Sequence, residues 1–482
     1  DSRNIRGKSN DAGDAPLIDA MTELGLFKED AWDLFSNSAI PDGNVVEYGG
    51  TASLLNDQHD DPTNVTPRRK LYSNISGSNL SDSANHIVPS NTAITSAPEF
   101  LDYDVDELGL NPAEAIVYRN KVINFIRGWQ GGVKNILPPY GTQRQHMGDM
   151  LHSEPVIITY TQGNEAGSGK QQYIFAATNE GYLHAFDSST GEEIFAFMPK
   201  KLLKNIQPQF TGQGPHLYGI DGSISYWHDD TNDNGNVDGA DKLYVFFGMR
   251  RGGRSYYALD VTNINAPKLK WVVDNNDPGL SRLGQSWSMP YLARVKTGGV
   301  TKEVVIVTAG NDPVLDYEEE DYSLLSDRTV DSMGDDIFIL DLNNGNKLWS
   351  MREALGNTIT HGIPGGVRVL DVNRNGLLDR MYFADTGGNV WRLDMSETLS
   401  GSADDYDLRK MAHVGGSRKF YNEPDVAQLR ANGKTKFTIS VGSGHRPHPM
   451  DESINDHMFV LIDDSPLDPL PDDFETIEFV SQ

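Results

Sequence analysis

The sequence predicts an all-β fold, a modified and decorated β-propeller, on three observations. A strand–turn–strand unit whose second strand ends in Asp recurs five times after about residue 145. Four strands per unit, repeated around a centre, is the sequence pattern of a propeller. The 47 Gly, 24 Pro and 19 Tyr favour turns and half-buried strands over helices.

The clearest unit is Tyr173–Asn179 followed, through Glu180-Gly181, by Tyr182–Asp187. The others pair Lys242–Phe247 with Tyr256–Asp260, Val304–Ala309 with Ile337–Asp341, Met381–Ala384 with Val390–Asp394, and Phe437–Val441 with Met458–Asp463. A separate strand precedes each: Glu154–Thr159, Asp221–Trp227, Ser288–Val295, Gly365–Val372 and Glu423–Leu429. Several units add a fourth strand, as at Phe197 and Trp349. The recurring terminal Asp is expected to cap its turn, a structural role. Five blades are distinct; seven are expected, the remainder concealed in the N-terminal part.

The propeller is therefore assigned to residues 141–482, and residues 1–140 to an irregular N-terminal region with short helices. In that region Asn56–Pro67 and Ser73–Ser96 have no sustained apolar period and read as long loops or partly disordered chain. Ile18–Phe35 has helical apolar spacing, and Asn44–Leu55 is expected to supply a strand. Asn111-Pro112 opens the best helix, with apolar residues at Ile116, Val117, Val122, Ile123 and Ile126, closed by Gly128. It is expected to pack on the larger domain. A chain opening on Asp1 is expected to be a fragment or a processed product.

Charge and composition exclude several functions. Lys and Arg number 41 against 69 Asp and Glu, a formal charge of −28. Such a surface repels nucleic-acid phosphates and anionic lipid and attracts cations. Zero cysteines exclude disulfides, thiolate catalysis and Cys-ligated zinc. Apolar runs such as Leu243–Phe247 are too short to span a bilayer. Neither a phosphate-binding loop, a Gly-x-Ser-x-Gly elbow nor a Ser-His-Asp arrangement is recognisable.

Asp371–Asp379, spelled DVNRNGLLD, has the pattern of a calcium loop. Every second residue offers oxygen: Asp371, Asn373, Asn375, the carbonyl of Leu377, and Asp379. Gly376 stands where the chain must turn through positive φ. Ca²⁺ takes six to eight oxygens, which this alternation supplies in part. An acidic twelfth residue is missing, Tyr382 standing there, and strands replace the flanking helices of an EF-hand. With two formal charges and Arg374 and Arg380 nearby, modest affinity is expected.

A second candidate runs from Asp230 to Asp241, with donors at Asp230, Asn232, Asn234, Asn236, Asp238 and Asp241. Its twelfth residue is Asp rather than the longer Glu, and as an inserted hairpin tip it is expected to be mobile. For either loop the alternative is a run of Asx turns without metal. Three weaker motifs remain. Tyr317–Tyr322 is a carboxylate run read as solvated acid. His445-Arg-Pro-His448 is a weak zinc signal. Arg250-Arg251-Gly-Gly-Arg254 is a basic turn expected to hold neighbouring carboxylates, with an anionic partner as the alternative.

Taken in order, Gly148–Pro155, Gly181–Asp187, Arg251–Thr262, Gly284–Pro290, the loop at Asp371 and Val441–Pro447 resemble the quinoprotein-like propellers, and specifically the C-terminal domain of PilY-type type IV pilus proteins. Val45–Ala52 and Arg69–Tyr72 also fit. The resemblance implies an exported domain at the pilus tip or outer surface, with minor pilins and a host-cell or abiotic surface as partners. It further implies roles in pilus biogenesis, twitching motility and adhesion, with bound calcium controlling extension and retraction. The family's calcium ligands fall on Asp371, Asn373, Asn375, Leu377 and Asp379. No Arg-Gly-Asp tripeptide occurs, and closing strands beyond residue 465 are not recognisable. The competing reading is a pyrroloquinoline-quinone dehydrogenase, against which stand the missing vicinal cysteines and a calcium loop that closes on itself. A non-enzymatic module is expected.

Overall fold

In the computed structural model the described residues are 6–7, 18–19, 50–57, 69–100, 109–129, 147–161, 169–212, 215–313, 331–450, 452, 454–471 and 473–478. Two compact units divide the chain: Asp1–Ile220 with His228–Tyr244 and Asp260–Leu269, and Asp221–Trp227 with Val245–Leu259 and Lys270–Gln482.

Among the described residues five sheets of blade size carry the architecture, one for each of the five distinct repeats; the two further blades expected in the N-terminal part are not among them. The first runs Val156–Thr161, Lys170–Ala177, Leu183–Asp187, Glu193–Met198 as an antiparallel meander. The second holds Ile224–Asp229, Lys242–Gly248, Ser255–Asp260 and Lys268–Asp274, and the third Tyr291–Thr297, Val300–Thr308, Ile337–Asp341 and Lys347–Ser350. The fourth begins Arg368–Leu370, Arg380–Ala384, Asn389–Met395, Tyr406–His413. The fifth has three strands, Asp425–Ala431, Lys434–Gly442 and Met458–Asp463.

Burial explains why these strands were readable. In the third sheet, Val304–Thr308 and Ile337–Asp341 are buried on both faces and appear in the sequence as unbroken apolar runs. Met458–Asp463 alternates exposed and buried, the period-two pattern of a half-covered strand. Val304, Ile306, Ile337, Ile339, Trp349, Met381, Phe383 and Trp391 share one core between the third and fourth sheets.

Two sheets gain a strand from distant chain. Leu71–Ser73 pairs in parallel with Ala196–Met198, giving the Arg69–Tyr72 segment a place in the first sheet. Ile477–Glu478 pairs in parallel with Ala412–His413. The latter is a strand beyond residue 465 that the sequence did not disclose, because two residues carry no period.

Of the five terminal aspartates, four cap turns as expected: Asp187 accepts the Ser189 N–H, Asp260 that of Thr262, Asp341 that of Asn343 and Asp463 that of Ser465. Asp394 differs, its carboxylate pairing with Arg380 and Arg392.

The N-terminal region departs from expectation at Asn44–Leu55. Gly50–Asp57 is an α-helix, not a strand; Leu55 buries against Ala176 and Phe186, and tertiary packing decides the conformation. Ile18–Asp19 pairs as a short strand with Arg6–Gly7, and the rest of the helical spacing predicted over Ile18–Phe35 lies outside the described residues. Ser73–Ser96 lacks long elements but is tightly bonded. Buried Asn85 receives N–H groups from Ile75 and Ser76 and donates to the Ser76 and Asn79 carbonyls.

Helix Pro112–Ile126 forms as predicted, with a capping box in which Asn111 accepts from Glu114 N and Glu114 returns a bond to Asn111 N. It packs Tyr118 and Phe125 edge-on against Phe210, and Tyr182 Oη donates to the Ile126 carbonyl.

Candidate metal centre

The nine residues Asp371–Asp379 are the whole connection between the first two strands of the fourth sheet, since Leu370 and Arg380 are the last cross-strand pair. The loop is held at its base. Asp379 N donates to the Leu370 carbonyl (3.0 Å), and Met395 N to the Asp379 carbonyl (2.8 Å). Leu378 N donates to the Arg294 carbonyl (2.9 Å), and its side chain is buried in the core beneath.

Within the loop each predicted ligand side chain shapes the backbone. Asp371 accepts N–H bonds from Asn375 (3.0 Å) and Gly376 (2.7 Å). Asn373 Oδ1 accepts from Asn375 N, and Asn375 Oδ1 from Leu377 N. Asp379 closes the ring, accepting from Val372 N (2.7 Å) and Asn373 N (3.0 Å). Arg374 and Gly376 take φ of 65° and 83°. The side chains of four predicted donors, Asp371, Asn373, Asn375 and Asp379, are thus brought together in one turn.

A sixth group, which the sequence reading missed, joins them. Glu397 Oε1 accepts the side-chain N–H groups of Asn373 (3.3 Å) and Asn375. Its second oxygen lies 3.2 Å from Lys296 Nζ, and bonding to Lys296 holds its carboxyl below the usual range. Nothing in the local spelling announces it, because Glu397 arrives from beyond the third strand of the sheet.

The second loop has the same fold. It joins the first two strands of its own sheet, and Asp230 accepts from Asn234 N (3.1 Å) and Gly235 N (2.6 Å), as Asp371 does from its counterparts. Asp233 and Gly235 take φ of 56° and 76°, matching Arg374 and Gly376. Asn232 and Asn234 donate to Asp238, and Asn236 N to Asn234 Oδ1.

The loops differ in their brace. Here the twelfth residue, Asp241, accepts from Thr231 N (2.8 Å), Thr231 Oγ1 (2.6 Å) and Asp238 N (3.1 Å). Burial works against its charge, but these bonds outweigh it and its pKa is lowered; that of Asp230 is lowered chiefly by the Gly235 N–H. His228 stands beside them: His228, Asp230 and Asp241 each place one ligand atom within 4.8 Å of the other two. The tip is also pinned to the first sheet, Val237 N donating to the Thr159 carbonyl and Thr161 N to that of Val237.

Chemically, the first loop offers two carboxylates, two side-chain amides and a peptide carbonyl, with a third carboxylate beside them. An all-oxygen set suits a hard cation such as Ca²⁺. The second loop offers the same set, with one imidazole at its edge.

Other motifs take structural positions. Arg250 lies over the Trp287 ring, 4.2 Å from guanidinium to centroid, Arg254 Nε donates to the Leu283 carbonyl, and Arg251 to that of Pro447. The His445 and His448 rings lie against each other at 4.8 Å. Tyr317–Tyr322 lies outside the described residues.

Among curated proteins, a type IV pilus biogenesis factor PilY1 homolog of Xylella fastidiosa is 25% identical over 395 residues, covering 77% of this chain and 28% of that protein. The type IV pilus biogenesis factor PilY1 of Pseudomonas aeruginosa PAO1 is 29% identical over 301 residues, 57% of this chain and 23% of that protein. The chain spans roughly a quarter of the length of these relatives. The crystal structure of the Pseudomonas aeruginosa PilY1 C-terminal domain aligns with a TM-score of 0.44 at 22% identity, covering 64% of this chain and 60% of that one. The family described as the PilY1 beta-propeller domain matches residues 150–420, more than half of the sequence, and the chain belongs to that family.

Proposed function

We propose that this chain is a calcium-binding, non-enzymatic domain of a type IV pilus biogenesis factor, exported to the bacterial surface and carried at or near the pilus tip. The single observation that supports the calcium reading is the loop at Asp371, where the side chains of Asp371, Asn373, Asn375 and Asp379 all bond within one turn at Gly376 with Glu397 beside them. The pilus assignment is supported by relatives named as type IV pilus biogenesis factors. The loop from Asp230 to Asp241, folded alike, is a second and weaker site. Calcium at these loops orders surface turns, and through them regulates contact with minor pilins, hence extension and retraction, twitching motility and adhesion to host or abiotic surfaces.

Calorimetric titration of Ca²⁺ into the wild type and Asp371→Ala tests the site, with retention of the tighter binding event in the variant overturning it. The same substitution in the full-length protein, followed by counting surface pili and measuring twitching, tests the regulation; normal behaviour without calcium binding would remove it. Reduction of an electron-acceptor dye by an alcohol after quinone reconstitution would overturn the non-enzymatic reading.

A further inference from the structure

We infer that Glu397 supplies the carboxylate missing from the twelfth position of the Asp371 loop, and that Lys296 competes with the cation for it. The inference rests on the calcium reading above. In a loop of this kind the residues at positions one, three and five face the ion. Positions three and five are Asn373 and Asn375, and both side chains meet the same oxygen, Glu397 Oε1. Both contacts run from the amide nitrogens, so Glu397 Oε1 faces the two side chains whose oxygens a cation would take. The twelfth residue, Tyr382, is a fully buried strand residue and offers no ligand there.

Glu397 is held in place by its own backbone. Its carbonyl accepts the Lys296 N–H (2.9 Å), Leu399 N donates to the Lys296 carbonyl (2.8 Å), and Lys296 and Thr398 form a parallel bridge. Two residues earlier, Met395 N is bonded to the carbonyl of Asp379, the last loop ligand. The Glu397 backbone is thus fixed beside the loop, so recruiting its carboxylate costs only the ordering of one side chain.

Lys296 opposes it. Its ammonium lies 3.2 Å from Glu397 Oε2, and both side chains are partly exposed. A cation drawing on this carboxylate shares it with that ammonium and meets a like charge close by, which weakens binding. Lys296 belongs to the first strand of the third sheet, so the pair also ties the loop of one sheet to the strand of the next.

The test is calcium titration calorimetry on wild type, Glu397→Gln, Lys296→Met and Asp371→Ala, with urea unfolding in chelator to verify that each variant is folded. Loss of one anionic ligand in Glu397→Gln weakens the tighter site by about tenfold, and Lys296→Met tightens it by about threefold. If Asp371→Ala abolishes that site while Glu397→Gln binds within twofold of wild type, the role of Glu397 is refuted and the calcium reading stands. A wild type that takes up no calcium refutes both. Weaker binding in Lys296→Met refutes the competition.

Discussion

Arg69 and Glu193, 124 positions apart in the chain, form a buried two-point ion pair, Nε to Oε2 at 2.8 Å and Nη2 to Oε1 at 2.9 Å. His184 Nδ1 completes the cluster 2.7 Å from Glu193 Oε1. The pair fixes the Leu71–Ser73 strand beside the last strand of the first sheet.

Arg69→Met leaves Glu193 buried without its strongest partner and should cost about 3–5 kcal/mol. Burial alone would raise the Glu193 pKa, but the Arg69 guanidinium and the bond from His184 hold it well below the usual carboxylate range. A depressed folded pKa contributes stability that is complete above the unfolded value and lost as pH falls through the folded one. The variant should therefore acid-unfold at higher pH than the wild type, as followed by tryptophan fluorescence.

Asp336 carries the opposite sign. Burial raises its pKa to about 6, against bonds from Ser350 Oγ and the backbone N–H groups of Arg352 and Ile337. A raised carboxyl contributes stability below its unfolded pKa, and that contribution is lost as pH rises to about 6. Urea unfolding of wild type and Asp336→Asn at pH 4 and pH 7 should show the wild type losing on the order of 2–3 kcal/mol relative to the variant between the two. A pH-independent difference would contradict this.

Two glycines with similar φ should respond differently to alanine. At Gly310 (φ 85°) a Cβ would sit 1.8 Å from the Gln285 carbonyl oxygen, so backbone must move. At Gly376 (φ 83°) the space is open, leaving only the left-handed penalty of roughly 1–2 kcal/mol. Gly310→Ala should prevent soluble expression or lower the melting temperature sharply, whereas Gly376→Ala should fold and chiefly weaken calcium binding.

Calcium removal should lower stability. If free calcium stands about a hundredfold above Kd, binding contributes roughly 2.7 kcal/mol. Differential scanning fluorimetry in millimolar calcium and in chelator should show a midpoint lower by a few degrees in chelator. The difference should shrink in Asp371→Ala, and an undiminished difference would assign the stabilisation elsewhere.

The sequence by itself determined the repeats and the two loops. Strands such as Ile337–Asp341 and Met458–Asp463 follow from a buried run and a period-two alternation, both local signals. The loop donors are likewise local, since all five lie within Asp371–Asp379 and the turn at Gly376 is set by its own φ. Tertiary structure decided what local spelling cannot carry. It made Gly50–Asp57 a helix by burying Leu55, added two- and three-residue strands at Ile477 and Leu71, and joined Arg69 to Glu193. It also brought Glu397 to Asn373 and Asn375. Those contacts depend on which strands become neighbours, and that is set by sheet pairing across distant chain, whose register no short window of residues contains.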